Sequence, residues 1–205
     1  MQQAKKTVKH TSRKYSFEVN GLEAWKAAKN ALENVLEAVN GERILIICDE
    51  EKTEVGEAFA TGASALGLNT TLAILGKTEK PRTEIPASLQ EKLSRKPDIY
   101  INLLRGSREE TPFRIKLIKT ETRDSKARLG HCPGVTLDML TEGALALTPE
   151  EHRELQVRAE TLMETLEGMV TVEISNPAGT KLTLSGKGRR FITDAKLDKT
   201  TVKWI

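Results

Sequence analysis

Three short, nearly continuous apolar runs, separated by stretches of helical periodicity, constrain this chain more than any other feature. They are Arg43-Ile44-Leu45-Ile46-Ile47-Cys48, Thr70-Thr71-Leu72-Ala73-Ile74-Leu75 and Asp98-Ile99-Tyr100-Ile101-Asn102-Leu103-Leu104. None alternates polar and apolar as a strand with one wet face does, so each reads as a strand buried on both faces. Between the first two, Thr53 to Leu66 reads as a helix stopped by Gly67. A polar, proline-containing loop from Gly76 to Pro86 then leads into a short helix over Ala87–Leu93, and Pro97 ends that turn. Thr111-Pro112 offers an N-cap and N1 pair for a helix over Phe113–Thr122. Ala127 to Cys132 reads as a fourth, short strand. Ahead of the first strand, Leu22, Trp25, Ala28, Leu32, Val35, Leu36 and Val39 recur at three- and four-residue steps. That is an amphipathic helix, stopped at Asn40-Gly41. Strands alternating with helices imply right-handed crossovers and a parallel sheet covered on both faces. The expected fold is α/β: a doubly wound, mostly parallel sheet of the Rossmann-like or flavodoxin-like kind over residues 20–147.

From residue 148 the pattern changes. Thr148-Pro149-Glu150-Glu151 is a capping box with proline at N1. Behind it, Leu155, Ala159, Leu162 and Leu166 form one apolar stripe, Glu154 and Arg158 form an i,i+4 pair, and Gly168 ends the helix. Val170–Ser175, the turn Asn176-Pro177-Ala178-Gly179-Thr180 and Lys181–Ser185 then read as a strand, a tight turn and a second strand. A two-stranded hairpin needs more than itself to be stable in water. Residues 148–205 are therefore expected to be a bridging helix plus a hairpin that begins an incomplete second domain, cut short or completed by something else. Residues 1–19 lack periodicity and read as a mobile or loosely docked arm.

Composition excludes several functions. Hydrophobic residues make up 38% and charged residues 30%, the balance of a soluble globular protein. No apolar run approaches the roughly 20 residues that span a membrane. The first residues lack the apolar core of a signal peptide, and Cys48 and Cys132 lie far apart, so a reducing cytoplasm is expected. Aromatics are 4%, too few for a stacking platform on single strands. The net charge is +3, with five Lys/Arg against one Glu in residues 1–20 and seven against two Asp in residues 181–205. Basic ends can mark nucleic-acid contact, but solvated tails and hairpin faces explain them first, and a nucleic-acid partner is not expected.

The chemistry-bearing residues are sparse. His10, His131 and His152 are scattered and have no metal-ligand spacing; His131-Cys132 lacks a third ligand. No G-x-G-x-x-G follows the first strand. The turn there is Asp49-Glu50-Glu51-Lys52-Thr53, acidic and unsuited to a pyrophosphate. Gly186-Lys187-Gly188-Arg189-Arg190 lacks the spacing of a phosphate loop and reads as a hairpin or bulge. No nucleophile elbow appears. Open parallel sheets bind ligands beyond the carboxyl ends of their strands. Those ends carry Asp49 after the first strand and Arg105 after the third. These two residues are the candidates for lining a substrate cleft, with ordinary surface loops as the other reading. No catalytic and no metal-binding residue is identified, and no cofactor is expected in this chain.

Three stretches, in order, resemble the N-terminal part of the thermophilic-type leucyl aminopeptidases, the aminopeptidase T and AmpS group of metallopeptidases, with a ring-opening dihydroxypyridine dioxygenase as a related branch. Gly41-Glu42-Arg43-Ile44-Leu45-Ile46 is similar to that family's opening strand. Cys132-Pro133-Gly134-Val135-Thr136-Leu137-Asp138-Met139-Leu140 is similar to its "PGIT-x-DM" segment. Asn176–Leu184 is similar to its "TPAGTDLTF" hairpin, with Lys181 standing where the family tends to have an acid, and Gly188-Arg189-Arg190 is similar to the "GR" after that hairpin. The resemblance covers about residues 20–205. It implies a metal-dependent peptidase family whose divalent metal ions are held by a later, larger domain, so that this chain by itself lacks the active centre. It also implies self-association or a separate catalytic subunit as partner, and a peptide substrate only where that catalytic part is present. A non-enzymatic binding or interaction module on the same scaffold is the alternative.

Overall fold

The structure is a computed structural model that describes residues 23–123, 126–189, 191–193 and 195. The expected N-terminal arm, His10 and the end of the chain from residue 196 lie outside the described residues.

Four strands form one parallel sheet: β1 (Arg43–Asp49), β2 (Asn69–Leu75), β3 (Ile99–Leu103) and β4 (Arg128–His131), in the order β2-β1-β3-β4. The apolar runs of β1 and β3 become central strands because both faces are covered, whereas β2, expected to be buried on both faces, is an edge strand with Ile74 48% exposed. Ile44, Ile46 and Cys48 face one core together with Ile99, Ile101 and Leu103. Leu45 and Ile47 face the other with Tyr100, Leu104 and Leu129. Helices α1 (Ala24–Asn34) and α2 (Thr53–Ala65) close the first core through Ala27, Ala28, Leu32, Val55, Phe59 and Ala63. On the opposite face, α3 (Ala87–Ser94) and α4 (Thr111–Glu121) contribute Leu89, Leu93, Phe113 and Leu117. Each such side chain taken fully out of water contributes about 1.5–3 kcal/mol before conformational entropy is counted. The doubly wound α/β architecture is thus the observed one. A short helix absent from the sequence reading, α5 (Leu137–Thr141), seats the buried Leu140 against the first core.

Two helix ends differ from the sequence expectation. Helix α1 stops at Asn34, well before Asn40-Gly41. The segment that follows is held from far along the chain. Buried Arg128, 1% exposed, donates from Nη1 to the carbonyls of Leu36 and Glu37 (2.7 Å to the latter) and pairs with Glu42 at 2.6 Å. Those carbonyls face the guanidinium instead of a helical N–H, and Glu37 takes a left-handed φ of 48°. Helix α4 begins one residue earlier than expected, with Thr111 inside it. A single 3-10 turn over Arg108–Glu110 leads into the helix, and the Thr111 hydroxyl donates back to the Arg108 carbonyl at 2.7 Å rather than capping an N–H.

Gly62 sets the closest approach between helices. A Cβ there would lie 2.7 Å from the Lys29 backbone nitrogen and 2.8 Å from the Trp25 carbonyl, so only glycine lets α2 seat on α1.

Beyond the sheet, α6 (Pro149–Leu166) opens with the expected capping box: Thr148 Oγ1 accepts from the Glu151 N–H at 3.2 Å, and the Glu151 carboxylate accepts from the Thr148 N–H at 2.8 Å. Its first turns rest on α1. The Gln156 amide donates to the Asn34 carbonyl (2.8 Å), Asn30 reaches the Leu147 carbonyl (3.0 Å), and His152 is buried. Leu155 and Leu162 of the apolar stripe are 47% and 57% exposed.

Strands β5 (Thr171–Ser175) and β6 (Lys181–Ser185) form a separate antiparallel pair. Their turn is fastened by Asn176, whose side chain accepts from the Thr180 N–H at 3.0 Å, and by Gly179 at φ 97°. The register pairs Val172 with Leu184 and Ile174 with Leu182. Because side chains alternate across a strand, these four share one face.

Candidate functional site

The strand order places a topological switch point between β1 and β3, where the connections leave in opposite directions and an open sheet offers its ligand crevice. Asp49 ends β1 and Arg105 follows β3, so the two residues singled out in the sequence flank that point. They are brought together: the Arg105 backbone N–H donates to Asp49 Oδ2 at 2.7 Å.

The crevice is filled from within. Arg82, carried by the loop between β2 and α3, donates from Nη2 to Asp49 Oδ1 and to Glu110 Oε2 (3.1 Å). Its Nε and its backbone N–H both reach Glu110 Oε1 at 3.0 Å. From the other side, Arg105 Nη2 donates to Glu110 Oε1 at 2.6 Å and Nε to Oε2 at 3.3 Å. The Phe113 ring lies 5.3 Å from the Arg82 guanidinium carbon, within cation–π range. Asp49, Arg82 and Glu110 are 3%, 8% and 1% exposed, while Arg105 is partly open to solvent. Two carboxylates and two guanidinium groups cancel in formal charge.

This arrangement fixes protonation states. Burial by itself would push Glu110 up, but the hydrogen bonds from Arg105 and Arg82 outweigh it and hold the carboxyl down at about 2. Burial likewise opposes the charge on Arg82, and the bonds to Glu110 and Asp49 overcome it, raising its affinity for the proton. Glu110, Arg82 and Arg105 therefore hold their charges through the neutral range, and none of the three supplies a proton or a lone pair poised near pH 7. What the cluster does is brace: it pins the 76–86 loop and the start of α4 to the carboxyl edge of the sheet. Arg82 Nη1 has no hydrogen-bond partner among the described residues.

Arg82 and Glu110 were absent from the sequence reading. Arg82 sits in a polar loop and Glu110 lies just before Thr111-Pro112; no spacing ties either to Asp49. The same holds for a second buried polar group beneath α4. Asn102 Nδ2 donates to Glu121 Oε2 at 2.8 Å and lies 3.4 Å from His131 Nδ1. Asn102 and Glu121 are 0% and 1% exposed. Burial pushes Glu121 up to about 8, with the Asn102 bond opposing, and burial together with the charge of Arg114 lowers His131.

The divalent metal implied by the sequence resemblance does not fit these residues. The carboxylates of Asp49 and Glu110 are occupied by arginine donors, and Glu121 is enclosed beside an amide. Among the described residues no group of three or more His, Cys, Asp and Glu side chains is placed to hold a metal ion. Among the same residues, no helix is long and apolar enough to cross a membrane.

The structure is similar to wild-type AmpT from Thermus thermophilus over 80% of this chain and 53% of that one, at 14% sequence identity and a TM-score of 0.49. It is also similar to the 2,5-dihydroxypyridine dioxygenase from Pseudomonas putida KT2440, over 79% of this chain and 46% of that one, at 13% identity and a TM-score of 0.45. The chain spans about half the length of either protein. No protein-family model matches the chain, and no curated protein matches it.

Proposed function

We propose that this chain serves as the non-catalytic α/β part of a metal-dependent, leucyl aminopeptidase-like protein, and that its hairpin packs against the metal-bearing catalytic part of that architecture. The observation that carries this reading is the hairpin's apolar face. Ile174, Leu182 and Leu184 are 47%, 44% and 46% exposed, and with Val172 they form one continuous side. A self-contained interaction domain would bury that side internally; a docking element leaves it bare until its partner arrives. Two of the three sequence stretches that resemble the peptidase family lie in ordered, adjoining parts of the described fold, the opening strand β1 and the Cys132–Leu140 segment that seats α5. The third is the hairpin itself. The occupant is accordingly the catalytic part of that architecture, whose metal centre would supply the chemistry this chain's residues do not fit.

The test is affinity purification of the full chain from its own cells, with the double variant Ile174→Lys/Leu184→Lys as control. The expected partner is an identified peptidase polypeptide that carries divalent metal, lost with the double variant. A partner without metal, or hydrolysis of leucine p-nitroanilide by the purified chain given divalent metal, would overturn the reading.

A further inference from the structure

We propose that Glu121 resides in this fold as an un-ionised carboxylic acid, its O–H donated to Asn102 Oδ1, and that loss of that proton releases the last turn of α4 from the sheet. The geometry begins with two orphans. Glu121 Oε1 and Asn102 Oδ1 are both buried and both without a hydrogen-bond partner among the described residues. Both are acceptors if the carboxyl is ionised, and they belong to side chains already joined by the 2.8 Å bond from Asn102 Nδ2 to Glu121 Oε2. A buried unpaired acceptor costs about 1–3 kcal/mol, so two on adjoining groups are not left idle. Turning the Asn102 amide over does not help, because it would aim the amide oxygen at Glu121 Oε2, another acceptor if the carboxyl is ionised. A single proton on Glu121 resolves both. The carboxyl then donates from Oε1 while accepting at Oε2, and the amide does the reverse, closing a two-bond ring.

The surroundings favour the neutral form. No ion pair reaches Glu121 among the described residues. The titratable and charged groups that face it are few: the Tyr100 phenol on β3, His131 on β4, Lys96 beyond α3 and Arg123 beyond α4. Tyr100, Lys96 and Arg123 share with Glu121 the walls of a cleft of about 700 Å³ between α3 and α4. Lys96 and Arg123 are exposed at its rim, where water screens them. Arg114, on α4, acts on His131 rather than on Glu121. The direction of the acidity follows from burial. On ionisation the carboxylate would meet Asn102 Oδ1 with no cation in reach, and the adjoining cleft offers the route by which water and the α4 terminus can exchange places.

The pH window can be isolated. A carboxyl raised from 4.5 to about 8 leaves the folded state holding one more proton than the unfolded state between those values, so stability falls as pH rises. His131 and His152 are lowered below 6.5 by burial, and both thiols are raised above 9.0. The histidines act the other way near pH 6.5, where the unfolded state binds protons that the folded state does not, but Glu121→Gln shares that contribution; from about pH 6.5 to 7.5 the unfolding constant of the natural chain should therefore rise roughly eightfold relative to that of Glu121→Gln. Two measurements on the full chain decide the matter. Infrared difference spectra should contain a protonated-carboxyl carbonyl band that fades as pH rises through about 8 and is absent from Glu121→Gln. Chemical unfolding should show that roughly eightfold difference in pH dependence between the natural chain and Glu121→Gln. Absence of the band at about pH 6.5 would overturn the proposal in favour of an ionised Glu121 solvated by a trapped water. An unchanged slope in Glu121→Gln would also overturn it. Should the variant fail to fold, the carbonyl band of the natural chain decides by itself.

Discussion

Replacing Arg82 by methionine tests whether the switch-point cluster braces the fold. The side chain keeps its length and apolar stem but loses every donor. Asp49 and Glu110 stay buried, the first with only the Arg105 N–H, the second with the Arg105 guanidinium and the backbone N–H of residue 82. Breaking a buried ion pair from one side costs about 3–5 kcal/mol. The depression of Glu110 from 4.5 to about 2 converts separately to about 3 kcal/mol for the two arginines together. Since Arg105 remains, the expected loss at pH 7 lies near the lower figure, about 3 kcal/mol. The sign of the pH dependence follows from the depressed value. Such a group contributes stability that is complete above 4.5 and is lost as pH falls towards about 2. The gap between the natural chain and Arg82→Met should therefore be full at pH 7 and largely closed near pH 2. Urea unfolding at about pH 7 and pH 3, read for midpoint and slope, measures it. The double variant Arg82→Met/Glu110→Gln should recover at least about 1 kcal/mol of the loss, because it removes one of the two buried carboxylates that lose Arg82. A loss below about 1 kcal/mol at pH 7, or one of equal size at both pH values, would refute the bracing role.

Gly62→Ala should destabilise despite the better helix propensity of alanine. The gain is about 1 kcal/mol, but the added carbon meets backbone atoms of α1 at 2.7 and 2.8 Å, which cannot yield as a side chain would, at a cost of about 1–3 kcal/mol. A melting temperature equal to or above that of the natural chain would contradict the packing argument. Cys48 and Cys132 are both pushed up to about 11 by burial, Cys48 further by the charges of Asp49 and Glu57. Two units above the ordinary value leave the thiolate fraction about a hundredfold lower, so a disulfide reagent near neutral pH should label neither thiol until the chain unfolds, and then both. Prompt labelling of the native protein would mean a more open core than the one described.

The strands were legible in the sequence as unbroken apolar runs, which burial on both faces explains for the central β1 and β3 but not for the edge strand β2. The boundaries of β1, β2 and β3 fall within a residue or so of Arg43–Cys48, Thr70–Leu75 and Asp98–Leu104. The capping box at Thr148 and the hairpin turn at Asn176 were equally plain, since both are local arrangements of neighbouring residues. What was not legible depends on residues far apart. The segment after α1 is held by Arg128, about ninety positions away. Asp49 and Arg105 could be placed at strand ends by topology, yet the two residues that join them, Arg82 and Glu110, come from loops with no periodicity to mark them. Glu121 occupies an apolar-facing helical position and pairs with an asparagine inside a strand; neither residue type announces burial. The stripe Leu155, Ala159, Leu162 and Leu166 teaches the complementary lesson. Its spacing marks the helix correctly, but periodicity states only that a face is apolar, not that anything within the chain covers it.

The two halves of the molecule deal with their unsatisfied surfaces in opposite ways, and the contrast bears on what each is for. At the carboxyl edge of the sheet, where an open α/β fold ordinarily leaves room for a ligand, Arg82 inserts between Asp49 and Glu110 and cancels the charge there. The crevice becomes a joint. At the hairpin, four apolar side chains are aligned by register and left largely open to water by the described residues, although roughly 25 cal/mol for each Å² would be gained by covering them. A hairpin of two strands gains too little from its own cross-strand pairs to hold such a face against water, and its turn is nonetheless built with care around Asn176 and Gly179. Local chemistry specifies the register while the described residues leave the face about half open, and that contrast is what the docking proposal rests on.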